Sequence, residues 1–459
     1  MTSATHRSAE EIGRTALGPR PLPPLGTQRA AADLSHVDTE LANGLRVLAV
    51  RKATVPMIEA RLWIPFAGED ALHPATAEVL AETILTGTAR RNRIEIDAEL
   101  ALIGGDLGVG VDPERLSFSG SALADKLPTF LDVLGDVLTG ASYPDDQVAR
   151  ERDRIIERIA VSRTQPRTIA REAMQKHRYG DHPATREVPQ AEDVAVVDAE
   201  GVRALHAASV LPRGAVLVLV GDLDPEGVIS QLENALSGWA SDRAAVRLPE
   251  LPVLTGRPLL LVPRSGAVQS QIRLTAQGVP RTDPRYAALQ LANLAFGGYF
   301  SSRLVENIRE AKGYTYSAHS GFEFTDQNAV VNIDADTANE ATAAALLETR
   351  YELGRLGLVP PVGDELESVR QYAIGSLLTS TSSQAGLAGQ MLALATTGLG
   401  IDWLNEHPAR LAAVTPDDVA SAALDFFAPK QFTGVVVGDA AVLQRKLTAL
   451  GDVVVGEPA

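Results

Sequence analysis

The chain contains its own second copy. VRALHAASVLPRGAVLVLVGD ends at Asp222 and VASAALDFFAPKQFTGVVVGD ends at Asp439, so Val202 matches Val419 and Asp222 matches Asp439 at an unbroken offset of 217 residues. In each copy a helical segment leads through a Pro-containing turn into an apolar strand ending in Val-Gly-Asp. Earlier parts correspond too: VPMIEARLWIPFAGED (55–70) parallels VQSQIRLTAQGVPRTD (268–283), with arginines at 61 and 273. Ile58, Ala60, Leu62 and Ile64 alternate with Glu59, Arg61 and Trp63, and Ile272, Leu274 and Ala276 alternate around Arg273 and Thr275. That period predicts half-buried strands. A repeat this long is a duplicated domain rather than a solenoid. Strands followed by amphipathic helices predict an α+β fold, each half layering helices on a sheet. The expected boundaries are a Pro-rich flexible arm over 1–37, a first domain over 38–241, a linker over 242–258 whose prolines suit exposure, and a second domain over 259–455.

Composition narrows the function. A net charge of −16 argues against a nucleic-acid or anionic-membrane surface, and the densest basic run, ARRNR at 89–93, is too short to reverse that. The chain has no cysteine, which excludes disulfides and thiolate metal sites. No run approaches the ~20 apolar residues of a membrane span, and residues 1–37 lack the apolar core of a secretory signal. A cytoplasmic location is the expectation.

The stretch FGGYFSSRLVENIREAKGYTY (296–316) carries most of the functional information. It reads as a glycine turn, a short helix with Leu304 and Ile308 on one face, a stop at Gly313 and then a strand. Arg309 and Tyr316 stand seven residues apart across the turn. Both are hydrogen-bond donors, and such a pair can converge on one carbonyl oxygen. The alternative is an Arg309 in a surface ion pair and a Tyr316 packed in a core. Tyr314 is a rival phenol two residues earlier.

This stretch resembles the C-terminal domain of the inverzincin zinc peptidases, the family of pitrilysin, insulinase and mitochondrial processing peptidase. The match runs through Gly297, Gly298, Ser302, Arg303, Leu304, Arg309, Glu310, Gly313 and Tyr316. The resemblance extends over about 38–455. It implies two similar domains, each a mainly antiparallel sheet with packed helices, enclosing a cleft like a clamshell. It also implies that Gly297, Gly298, Arg309 and Tyr316 bind the substrate peptide, with Arg309 and Tyr316 catalytic; the family's spacing from the arginine favours Tyr316 over Tyr314.

The metal site of that family is missing here. Active members carry H-x-x-E-H on a helix of the first repeat, because histidines four apart share a face and the glutamate serves as base. Aligning the family's Gly-Thr with Gly87-Thr88 puts this motif on Glu78-Val79-Leu80-Ala81-Glu82, with Ala81 at the base position. The third ligand position, counted along RERDRIIERI (150–159), falls on Arg158; Glu157 is one residue off. Ala77, Leu80, Ala81, Ile84 and Leu85 form an apolar stripe that supports the alignment. Glu78 and Glu82 repel as like charges four apart, so Arg158 is expected to sit between them in the metal's place. A rival is a hard cation held by Glu78, Glu82 and His73. His177 and His182, in HRYGDHP, read as turn residues.

The resemblance therefore implies a zinc-free subunit of a heterodimeric metallopeptidase. This chain would hold no cofactor, and zinc would be bound by a homologous partner carrying H-x-x-E-H, whose glutamate activates the attacking water. Tyr316 would donate to the oxyanion and Arg309 to a nearby substrate carbonyl. Substrates would be peptides such as leader peptides, with neither nucleic acid nor membrane as partner. The alternative is a structural or chaperone-like member of the same fold.

Overall fold

The computed structural model describes Glu10 and residues 34–325 and 328–458. The arm expected over 1–37 lies outside the described residues, save for Glu10 and its last four residues, of which His36 and Val37 open the first strand. Among the described residues, twelve strands form two six-stranded sheets. The first contains β1 (His36–Glu40), β2 (Arg46–Arg51), β3 (Met57–Pro65), β4 (Asp106–Val111), β5 (Arg115–Leu123) and β6 (Val216–Gly221), in the order β1-β2-β6-β3-β5-β4. The second contains β7 (Leu259–Pro263), β8 (Gln269–Gln277), β9 (Thr315–Phe324), β10 (Ala329–Ala338), β11 (Thr433–Gly438) and β12 (Val453–Val455), in the order β12-β7-β11-β8-β10-β9.

The two orders superpose strand for strand, apart from one edge. β6 and β11 stand at the offset read from the repeat, and Arg61 and Arg273 occupy equivalent places on β3 and β8. At the differing edge, the first sheet adds β1 antiparallel to β2, whereas the second adds β12 parallel to β7. Antiparallel pairs dominate both sheets.

One face of each sheet carries its own half's helices. Ile58, Leu62, Phe118, Leu80, Ile84 and Phe130 are buried together in the first core; Ile272, Leu274, Phe296, Leu346 and Phe427 in the second. The opposite faces are covered by an exchange. Helix Gln384–Ala395, from the second half, packs on β3 and β6 of the first sheet. Helix Pro166–Tyr179, from the first half, packs on β8 and β11 of the second. This explains why β6 and β11 are buried along their whole length: a strand covered on both faces reads as a continuous apolar run, as VLVLVG does. It also buries Trp63, which alternation alone would leave on the polar side of β3.

Polar anchors hold the exchanged helices. Gln384 Nε2 donates to the carbonyls of Lys52 (2.6 Å) and Val55 (3.0 Å), and Arg46 Nη1 donates to Ala395 O (2.9 Å). Arg178, nearly fully buried, donates through Nη2 to Glu323 (2.5 Å). The halves thus meet along a clasped seam. It retains a cavity of about 390 Å³ lined by Trp63, Arg178, Tyr179, Glu323 and Phe324.

The linker is less exposed than its prolines suggest: Leu254 is buried against Tyr179 and Val330. His177 closes the helix rather than lying in a loop, and its Nε2 donates to Pro258 O (3.0 Å). His182 accepts from Ala184 N–H through Nδ1, so its Nε2 carries the proton donated to Pro249 O (3.1 Å). Both histidines tie down the linker.

One histidine gives the fold a pH dependence. His407 stacks on Trp403 (ring centroids 4.3 Å apart) and contacts Gln290 Oε1 at 2.7 Å. Burial, reinforced by Arg410 and Arg281, pushes its pKa down from 6.5 to about 4. Between those values the unfolded chain binds the extra proton, so this group's contribution to stability falls as pH drops from 6.5 towards 4. Asp132 and Asp136, whose carboxyls are held below their ordinary range, and the other histidines lowered by burial, His73, His177 and His206, add to the acid limb. The wild-type minus His407→Gln difference in urea unfolding free energy, measured at pH 7 and pH 4.5, isolates this one; it should shrink at the lower pH.

Candidate functional site

The segment 286–316 is built to hold two side chains at its end. Helix Tyr286–Asn293 widens into a π-helical turn, Leu294–Gly298, at the glycine pair. An added Cβ at Gly297 would sit 2.9 Å from Ser320 Oγ, and one at Gly298 would sit 2.9 Å from Asn293 Nδ2. The structure thus gives both glycines a packing role: Gly297 lets the helix end approach β9, and Gly298 leaves room for Asn293 and Leu294 of the preceding turn. There Ser320 Oγ donates to Asn293 Oδ1 (2.7 Å).

The chain restarts as a short helix, Arg303–Val305, which runs into a second π turn, Glu306–Ala311. Such wide turns recur at functional sites. Leu304 and Ile308 are fully buried in the second core. Arg303 donates from Nε and Nη2 to both Glu365 oxygens (2.6 and 2.8 Å) and from Nη1 to Val359 O (2.6 Å). Asn307 donates to Glu352 at 2.8 Å. Gly313, at φ +62°, ends the turn through its N–H to Arg309 O (3.1 Å); only glycine enters this backbone region without strain.

Against this pinned frame, two donors stand out. Tyr316 leaves the edge strand β9 with 96% of its surface exposed. Arg309 Nε donates to Glu310 (2.7 Å), its guanidinium carbon lies 3.9 Å from the Phe300 ring centroid, and its buried Nη2 has no hydrogen-bond partner. Tyr314, the rival, precedes β9 rather than lying on it, and leans on the second core. The ion pair of the alternative reading exists, with Glu310; the buried phenol does not.

Helix His73–Thr83 carries Glu78, Ala81 and Glu82, and Arg158 lies on helix Asp145–Ser162. Arg158 Nη2 donates to Glu78 Oε1 (2.7 Å) and Nη1 to Glu82 Oε1 (2.8 Å). Burial raises the Glu78 carboxyl above its ordinary range while Arg158 opposes that shift. These residues do not fit zinc: a guanidinium occupies the space between the carboxylates, and Ala81 offers no donor. His73 does not join them, since its Nε2 donates to Phe66 O (2.9 Å). Among the described residues no group of three or more His, Asp or Glu side chains is arranged to hold a metal ion.

Because Arg158 is about half exposed, the cluster is worth little. Arg158→Ala should cost about 1 kcal/mol, less at high salt, in a denaturant titration. A loss above about 3 kcal/mol would instead mark it as a buried ion cluster. The basic run at 90–93 is internally engaged as well, with Arg90 and Arg91 on Asp132 and Asp136 and Arg93 on Glu151.

The model of the insulinase family (Peptidase family M16) matches residues 47–192, and the model of the peptidase M16 inactive domain matches residues 197–371. The chain belongs to the M16 peptidase family. An uncharacterized zinc protease of Streptomyces coelicolor is 27% identical over 420 residues, covering 87% of this chain and 88% of that protein. An uncharacterized zinc protease of Mycobacterium bovis is 25% identical over 366 residues, 78% of each chain. A solved peptidase M16 inactive domain from Pseudomonas fluorescens superposes with a TM-score of 0.81 at 22% identity, covering 88% of this chain and 98% of that one. A protease from Helicobacter pylori gives 0.81 at 16%, covering 88% and 99%. At these identities the solved structures speak for the fold alone. No described helix is long and apolar enough to cross a membrane.

The M16 pattern located Arg309 and Tyr316 in the sequence but not Phe300. That ring is not among the motif residues that carry the resemblance, and no periodicity marks it.

Proposed function

We propose that this chain is the zinc-free subunit of a two-chain M16 peptidase, lending Arg309 and Tyr316 to an active site whose metal and base sit on a homologous partner. One observation supports the reading above others: a phenol stands in solvent at the start of β9, and seven residues before it a guanidinium nitrogen lacks a partner. A phenolic hydroxyl donates one hydrogen bond, and a guanidinium offers in-plane N–H groups. Aimed at a peptide, Tyr316 would stabilise the oxygen on which negative charge develops, and Arg309 would hold a neighbouring carbonyl. The salt-bridged Glu78–Arg158–Glu82 cluster agrees with a first half that binds no metal of its own. Peptides, leader peptides among them, are the proposed substrates, and the cytoplasm is the proposed compartment.

The partner is to be sought as an H-x-x-E-H chain of similar length encoded nearby. Co-expression should yield a one-to-one complex in sedimentation. Two separate species, with no association at micromolar concentration, would favour the structural or chaperone-like alternative.

A further inference from the structure

Phe300 is 70% exposed, an unfavourable position for a large apolar ring. Its neighbour Tyr299 is accounted for by packing at a tilt against Tyr372, with ring centroids 5.0 Å apart. Phe300 is accounted for by Arg309, whose guanidinium carbon lies 3.9 Å from its ring centroid. The chemistry of that contact is specific. Guanidinium donors point outward in the plane of the group, so a ring against its face fixes the plane without consuming a donor. Glu310 takes Nε, and Nη2 is left unpartnered. Beside the ring, the polar contact that holds Arg309 is its ion pair with the exposed Glu310.

We propose that Phe300 is a positioning residue for Arg309: its ring sets the plane of the guanidinium that is to hold a substrate carbonyl. The functional consequence rests on the two-chain peptidase reading; the positioning itself does not. The contact thus has one readout in the isolated chain and one in the complex.

In the isolated chain, NMR should show the Arg309 Hε resonance, assigned by its loss in Arg309→Lys, shifted upfield by the ring current. Phe300→Leu should abolish that shift and Phe300→Trp should retain it. An Hε shift indifferent to Phe300→Leu would overturn the proposal whatever the activity. In the complex with its zinc-bearing partner, Phe300→Leu should raise KM about 2- to 5-fold, with a smaller change in kcat, as expected for a cation–π contact at an exposed site. Phe300→Trp should restore KM, and Phe300→Leu should add nothing in an Arg309→Ala background. An independent, additive effect there, or a Phe300→Leu complex that dissociates while Hε stays shifted, would make Phe300 an interface residue and overturn the proposal. If Arg309→Ala itself leaves peptide cleavage untouched, the peptidase reading fails instead, and the NMR result stands separately.

Discussion

Tyr316→Phe should leave the two-chain complex assembled and reduce its turnover by about 10²–10³, the usual loss for one donor to a developing oxyanion. The substitution removes a single hydroxyl from a ring that is 96% exposed. Folding stability should therefore not change, and a fall in kcat cannot be blamed on unfolding. Because the hydroxyl acts where charge develops, kcat and kcat/KM should fall together. Tyr314→Phe is the internal control. Tyr314 leans on the second core and does not share that exposure, so its variant should turn over at close to the wild-type rate. Wild-type kcat in Tyr316→Phe, or a collapse in Tyr314→Phe, would assign the chemistry to a different residue.

The second large effect concerns the fold. Met391→Ala should destabilise the chain by about 2–5 kcal/mol, the range for deleting a buried long side chain. Met391 is 1% exposed, among Leu48, Val50, Trp63, Val216 and Val218 of the first sheet, although it belongs to a helix of the second half. The exchanged helix is thus part of the first half's packing. Urea unfolding should shift to a lower midpoint in one transition, both halves melting together. A loss below about 0.5 kcal/mol, typical of surface changes, would mean that the helix is not integral to that packing.

What the sequence made legible was local and repetitive. The 217-residue offset carries β6 onto β11 residue for residue, because the apolar strand and its Gly-Asp exit are encoded by neighbours. Gly313 as a stop was readable for the same reason. The helix exchange was not. Its only trace is that VLVLVG and TGVVVG are apolar on both faces, which states a need for cover but not the source of it. Trp63 illustrates the gap: alternation assigns it to the polar face of β3, and a helix more than 300 residues later in the chain buries it. Spacing from Arg309 favoured Tyr316 over Tyr314 only through the resemblance; the local sequence did not show that β9 starts at Thr315, after Tyr314. Arg158 was located by counting along a helix, and its contacts with Glu78 and Glu82 follow from complementary charge on facing helices. Phe300 needed coordinates, because stacking on a guanidinium leaves no signature in spacing.

The central claim is a division of labour between two chains, and reconstitution tests it most directly. Each purified chain and their equimolar mixture would be assayed for bound zinc by elemental analysis and for cleavage of an unstructured peptide library by mass spectrometry. The account predicts zinc on the partner only, cleavage by the mixture only, and loss of that cleavage on chelation. Stoichiometric zinc on this chain, with peptide cleavage in the absence of any partner, would contradict it.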